Sequence, residues 1–120
     1  MTTMTSNSSE IIAAKALSDK KGHDIVIIEI GLKASFADYF VIATGSSERQ
    51  IAALADEVDD KLAEAGVMLR GKEGQGSSGW ILLDFGDIIV NVMTEEMRQK
   101  YNIEKVWGDC NFIKYEEGNE

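Results

Sequence analysis

The sequence predicts a single α/β domain in which a mixed, five-stranded sheet is flanked by helices. Apolar segments follow the order α-β-β-α-β-β-β-α, which is typical of helices packed on one mixed sheet. The chain has 120 residues, 44% of them hydrophobic, the size and apolar content of one domain with its own core. We expect residues 1–6 to be disordered, residues 7–110 to form the domain and residues 111–120 to form an acidic tail.

Cap residues and an apolar run predict the first helix and the first strand. Asn7 or Ser8 can cap a helix, because short polar side chains accept hydrogen bonds from its free N–H groups. Gly22 is suited to end this helix. Residues 25–28 are apolar throughout, which indicates a strand covered on both faces.

The second strand and the longest helix follow directly. Residues 39–44 form another apolar run, and Ser47 and Gln50 have capping-box spacing at the start of a helix over about residues 48–65. Apolar residues recur at helical spacing in that helix and predict one buried stripe: Ile51, Leu54, Ala55, Val58 and Leu62.

A hairpin organises the carboxy-terminal half. Two apolar, β-branched-rich runs flank residues 84–87, where Gly86 supplies the positive φ that a short turn requires. The other elements we predict are a short strand over residues 67–69, a flexible glycine-rich loop over residues 70–78, a helix capped by Thr94 and a helical turn over residues 101–107.

Charge and composition exclude several classes of protein. The net charge of −9 disfavours binding along a nucleic-acid backbone, which requires clustered Lys and Arg, and suits either a basic protein partner or simple solubility. No apolar run is long enough to span a membrane. With one cysteine the chain forms no internal disulfide, so we expect a cytoplasmic protein.

Three groups of residues are candidates for chemistry, and each has a plainer interpretation. Residues 44–47 lie between a strand and a helix, where an anion could bind, but a helix cap needs the same residues. Asp38, Asp84 and Asp87 could hold Mg²⁺, but the spacing of Asp84 and Asp87 across a turn favours a turn role. His23 and Cys110 are the only residues of their kinds, which excludes a His/Cys zinc site within one chain.

Trp80 begins the first strand of the hairpin beside the glycine-rich loop. Strand alternation places Trp80, Leu82 and Asp84 on one face, and Ile88 begins the alternating set on the second strand. If helices do not fully cover the Trp80 face, it is an exposed apolar patch of the kind that marks interfaces. If helices cover both faces, these residues are core.

Several segments resemble the signature of the ribosomal silencing factors, the Iojap family. The resemblance covers about residues 11–110, and its motifs occur in the family's order: residues 37–50, 71–74, 79–90 and 101–109.

This resemblance implies a fold related to the nucleotidyltransferases without their catalytic carboxylates, and an activity that needs neither catalysis nor a cofactor. It implies binding to the large ribosomal subunit through its fourteenth ribosomal protein, where the bound protein blocks joining of the small subunit and slows translation under nutrient limitation. It also implies a homodimer. Two alternatives remain: a Mg²⁺-dependent nucleotidyltransferase-like enzyme, and an adaptor or dimerisation domain acting away from the ribosome.

The resemblance also assigns site residues. The family's prominent contact corresponds to Trp80, and strand geometry extends the partner-binding surface to Leu82, Asp84 and Ile88. The expected partner-binding residues also include Asn91, which stands where the family commonly has His. Asn91 could still form a hydrogen bond but could not become charged.

Overall fold

The structure, a computed structural model, describes residues 8–115 and forms a single α/β domain. Residues 1–6, which we expected to be disordered, lie outside the described residues. The elements are α1 (Ser9–Asp19), β1 (His23–Glu29), β2 (Tyr39–Gly45), α2 (Glu48–Glu64), β3 (Gly71–Glu73), β4 (Trp80–Asp84), β5 (Ile88–Thr94), α3 (Glu95–Tyr101) and β6 (Asn111–Lys114), with 3₁₀ turns at Gly76–Ser78 and Ile103–Trp107.

The sheet is mixed, with strand order β3-β4-β5-β2-β1-β6. Strands β2 and β5 are parallel, and every other neighbouring pair is antiparallel. The two strands at the centre of this order, β5 and β2, are apolar almost throughout, as strands covered on both faces should be. The predicted fold class, an α/β domain with a mixed sheet and flanking helices, is confirmed.

The predicted number of strands was wrong, because the sheet has six strands and not five. The additional strand, β6, lies in the segment we expected to be a tail and pairs antiparallel with β1. The strand expected over residues 67–69 was also wrong, since pairing begins at Gly71, opposite Asp84. Both β6 and β3 are short edge strands held by backbone hydrogen bonds on one side, so apolar periodicity signals them poorly.

The two faces of the sheet are covered unequally. Helices α1 and α2 pack on the first face, where the whole predicted stripe of α2 is buried. On the second face, the short helix α3, the 3₁₀ turn that follows it and the segment after β1 cover a smaller core around Ile28, Ile42 and Met93. Within residues 8–115, no helix is long and apolar enough to cross a bilayer.

The start of α2 is held by a cap that differs in one detail from the predicted capping box. Ser47 Oγ accepts a hydrogen bond from Gln50 N at 3.0 Å, as expected, but Gln50 Oε1 accepts from Ser46 N and not from Ser47 N. The same Gln50 amide donates to the carbonyl oxygens of Lys20 and Lys21, both at 3.2 Å. The Gln50 side chain therefore holds the turn before α2 and joins it to the end of α1.

Candidate functional site

The hairpin places Trp80 on the less covered face of the sheet. In β4, Trp80, Leu82 and Asp84 are half-buried, whereas Ile81 and Leu83 are buried, so the predicted alternation is present. The antiparallel register sets Trp80 opposite Met93, Leu82 opposite Asn91, and Asp84 opposite Ile89 of β5. These cross-strand partners share the second face of the sheet.

Ile88 does not belong to this surface, contrary to our expectation. It is 1% exposed and lies in the first-face core together with Ile81 and Leu83. The register sets Ile89 opposite Asp84, so Ile89 lies on the Trp80 face, where it is half-buried. A shift of one residue moves a side chain to the other face of a strand, and the register after a turn cannot be read from an apolar run alone.

Trp80 is held by side chains on three sides. Its indole Nε1 donates a hydrogen bond to Asn91 Oδ1 at 3.0 Å. The rings of Trp80 and Tyr101 have centroids 5.2 Å apart at an interplanar angle of 45°. Met97 and Leu82 line a shallow groove beside the indole. We call Trp80, Leu82, Met97 and Tyr101 the Trp80 surface.

The glycine-rich loop before β4 is packed, although we expected it to be flexible. At Gly74, φ is 88°, and a Cβ would lie 2.1 Å from the carbonyl oxygen of Trp80. At Gly79, φ is 80°, and a Cβ would lie 2.8 Å from Met97 Cγ. Ser78 Oγ donates to Gln75 O at 2.7 Å and closes the 3₁₀ turn. The glycines allow the backbone to approach Trp80 and Met97 closely.

Helix α3, which contributes half of the Trp80 surface, is fixed by Arg98. The Arg98 guanidinium donates to both carboxylate oxygens of Glu104, at 3.1 and 3.0 Å, and to Thr44 Oγ1 at 2.8 Å. Its side chain is only 10% exposed. Thr94 accepts from Met97 N at 3.4 Å, as its predicted cap role requires. Helix α3 is therefore held at its first turn by Thr94 and at its middle by Arg98.

Sequence reasoning missed Tyr101 and Met97 as site residues. Tyr101 is 48% exposed and Met97 is half-buried. A signal was available, because residues four apart share one face of a helix and Thr94 had already marked where α3 begins. What the sequence could not supply was the direction in which α3 crosses the sheet.

Asn91, expected to contact a partner, is 1% exposed and lies beneath this surface. Its Oδ1 accepts from Trp80, and its Nδ2 has no hydrogen-bond partner. Its observed contact is therefore with Trp80 and not with solvent. Asp84 is half-buried, and its Oδ1 accepts from Gly86 N at 2.8 Å, the turn role that its spacing favoured.

The alternative sites are occupied by structural contacts or open to solvent. Around the start of α2, Ser46 N donates to Gln50 Oε1 and Gln50 N donates to Ser47 Oγ, so the cap itself uses these polar groups. In the described part of the chain, His23, Asp24 and Glu95 bring possible metal-ligand atoms within 4.8 Å of one another. The sequence did not predict this grouping. All three are exposed, and we assign no ion to them.

A second aromatic cluster lies towards the other end of the same sheet face. Trp107 is half-buried and packs edge-on against Phe40 with ring centroids 5.4 Å apart. Phe36 packs against both rings, at 6.3 and 6.4 Å, and is 58% exposed. This cluster anchors the turn after α3 and the segment after β1 to the sheet.

Comparison with known proteins identifies relatives over nearly the whole chain. The family model described as "Ribosomal silencing factor during starvation" matches residues 3–120. A ribosomal silencing factor of Bacillus subtilis is 39% identical over 99 residues, covering 82% of this chain and 84% of that protein. The chloroplastic protein Iojap of Zea mays is 31% identical over 104 residues, covering 84% of this chain and 44% of that protein. A crystal structure of a Chromobacterium violaceum protein superposes with a TM-score of 0.81 at 43% identity, covering 83% of each chain.

Proposed function

Since this chain belongs to the ribosomal silencing factor family, we propose that it represses translation by binding the large ribosomal subunit and preventing the small subunit from joining. We further propose that it docks on the subunit's fourteenth ribosomal protein through the Trp80 surface, and that it acts when nutrients are limited. The silencing role rests on the family. The docking site rests on the geometry of the second sheet face.

One observation supports the proposed docking site: the large aromatic side chain of Trp80 is held in one position on the less covered face of the sheet. Trp80 is fixed by Asn91 and Tyr101, so little side-chain freedom is lost when a partner covers it. Trp and Tyr are the residue types most often found at the energetic centre of interfaces. On the opposite sheet face, α1 and α2 cover the corresponding strands.

Charge supports a basic partner. The chain has a net charge of −9, and Glu73 lines the groove beside the indole. A net negative domain with an acidic side chain beside an apolar centre favours a basic protein surface and speeds its association at low salt. Steric blocking requires only that the bound domain occupy the surface where the subunits meet, so no catalytic group is needed. We therefore propose that this protein acts without catalysis or a cofactor.

We also propose that the free protein is a homodimer and acts in the cytoplasm. Exposed apolar side chains on the described part of the chain, among them Leu32 at 103% and Val106 at 68%, offer area that a second copy could cover. Analytical ultracentrifugation over a concentration series measures the dimer directly. A monomer at every concentration would remove this part of the proposal.

The experiment that tests the function uses isolated ribosomal subunits. Purified protein should co-sediment with large subunits and not with small subunits, and light scattering should show slower subunit joining when large subunits are preincubated with it. If it binds neither subunit, the proposal fails. If it binds the large subunit without slowing joining, the steric mechanism fails.

The Mg²⁺-dependent nucleotidyltransferase alternative has a simple test. A nucleotide that binds the folded protein must raise its unfolding midpoint. Since Asp84 is engaged in its turn and residues 44–47 serve the cap of α2, we expect no shift with millimolar ATP and Mg²⁺. A concentration-dependent rise in the midpoint would revive the enzyme hypothesis.

A further inference from the structure

Asn91 differs from the other described residues because it is polar, buried and incompletely hydrogen-bonded. Among residues 8–115 only Asn91 and Thr44 are both buried and polar, and of these residues only Asn91 has a buried side-chain nitrogen or oxygen without a hydrogen-bond partner. The strand register places it between Leu82 on β4 and Ile42 on β2. An apolar side chain would suit this position better, because a buried donor without a partner destabilises the folded state.

The chemistry of the indole explains which half of the amide is used. A Trp Nε1–H can only donate, so the amide oxygen must face it and the Nδ2 group must point elsewhere. If the amide were rotated by 180°, its Nδ2–H donors would face the indole N–H, and no hydrogen bond could form. Asn91 therefore satisfies Trp80 at 3.0 Å while its own donor stays unpaired. Of the two polar groups of the Asn91 side chain, only the acceptor oxygen forms a hydrogen bond.

We propose that Asn91 is a positioning residue for the Trp80 anchor, and that the partner meets this indole only as an apolar surface. The proposal rests on the proposed function, because it describes how the Trp80 surface is prepared for docking. The indole's single donor is taken up inside the protein, which leaves its hydrocarbon edge and π face beside Leu82 and Tyr101. The complementary site on the partner is then an apolar pocket that supplies no hydrogen-bond acceptor to this ring.

Three variants separate positioning from simple structural support. Asn91→Leu removes the acceptor together with the unpaired donor and leaves the Trp80 N–H without its partner. The gain and the loss oppose each other, so we expect the variant to remain folded, which urea unfolding verifies. Asn91→Asp keeps an acceptor at the same atom. Trp80→Phe removes the indole N–H and keeps an aromatic ring.

The first measurement does not require a ribosome. In ¹⁵N NMR spectra the Trp80 indole resonance is identified by its loss in Trp80→Phe, and its hydrogen exchange with water is then followed. Exchange should be at least tenfold faster in Asn91→Leu than in the parent protein, and close to parental in Asn91→Asp, because only the Leu variant lacks an acceptor. Unchanged exchange in Asn91→Leu would overturn the positioning role.

The second measurement is a double-mutant cycle on large-subunit binding. Asn91→Leu should weaken binding about tenfold, the range of one lost hydrogen bond. In the Trp80→Phe background the same change should have no further effect, because the donor that Asn91 orients is already absent. Equal losses in both backgrounds would show that Asn91 acts independently of the indole. Faster exchange with unchanged binding would show that the fixed indole is not used in docking.

The two measurements also distinguish failure of this inference from failure of the proposed function. If the parent protein does not bind large subunits, the proposed function is refuted and the docking part of the inference fails with it. The exchange measurement still decides whether Asn91 holds the indole. If the parent protein binds and the double-mutant cycle gives the expected result in both backgrounds, Asn91 positions Trp80 for docking.

Discussion

Replacing Trp80 by alanine should separate binding from folding. A Trp side chain buries roughly 150–250 Å² when fully enclosed, and Trp80 is half-buried, so the change exposes about 100 Å² of apolar surface. At about 25 cal/mol per Å² this lowers the free energy of unfolding by about 2–3 kcal/mol. A domain with about 5–15 kcal/mol of stability remains folded. Loss of the anchor should weaken large-subunit binding by at least about 2 kcal/mol, or roughly thirtyfold.

The assay compares the affinity of Trp80→Ala and of a matched control for isolated large subunits. Phe112→Ala suits the control, because Phe112 is an aromatic residue, 39% exposed, on the same sheet face. It lies on β6, four strands away from β4 in the sheet order. Urea unfolding of each variant verifies that it is folded. Parental affinity in folded Trp80→Ala, or an equal loss in Phe112→Ala, would refute Trp80 as the anchor.

Three further changes test the structure that supports the site. Arg98→Met should lower the free energy of unfolding by about 3 kcal/mol, because it leaves Glu104 partly buried without its cation; urea denaturation measures this loss. Gly74→Ala should lower it by at least about 2 kcal/mol, since φ is 88° and its Cβ would collide with Trp80 O; a loss below 0.5 kcal/mol would contradict the packed loop. Burial and neighbouring carboxylates raise the pKa of Tyr39. The contribution of the protonated Tyr39 to folding stability is therefore complete below pH 10 and declines at higher pH. Absorbance at 295 nm should show one tyrosine ionising late, and this step should be absent from Tyr39→Phe.

Long, strongly periodic elements could be predicted from the sequence. The stripe of α2 and the apolar runs of β1 and β2 lie where their patterns place them, because each repeats the same burial requirement over several residues. β3 and β6 could not be predicted in this way. Each has three or four residues, and the register of their backbone pairing, not side-chain burial, positions them.

The candidate site was predictable where it depended on one strand and not where it depended on two. Period-two alternation placed Trp80 and Leu82 together correctly. Ile88 was assigned to the wrong face because its side depends on the register across the turn. Tyr101 was missed because it reaches Trp80 from α3, and the crossing of a helix over a sheet is set by long-range contacts such as that of Arg98 with Thr44.

The unequal covering of the two sheet faces explains why the proposed binding surface and the unsatisfied polar group occur together. On the first face, α1 and α2 complete an apolar core in which the β4 and β5 side chains are fully buried. On the second face, a seven-residue helix leaves Trp80 half open to solvent. Asn91 supplies the indole with an internal acceptor although its own donor stays unpaired, as expected if it positions the ring. A buried donor without a partner disfavours the folded state, which is the pattern expected at a surface that serves a partner, as we propose for the Trp80 surface.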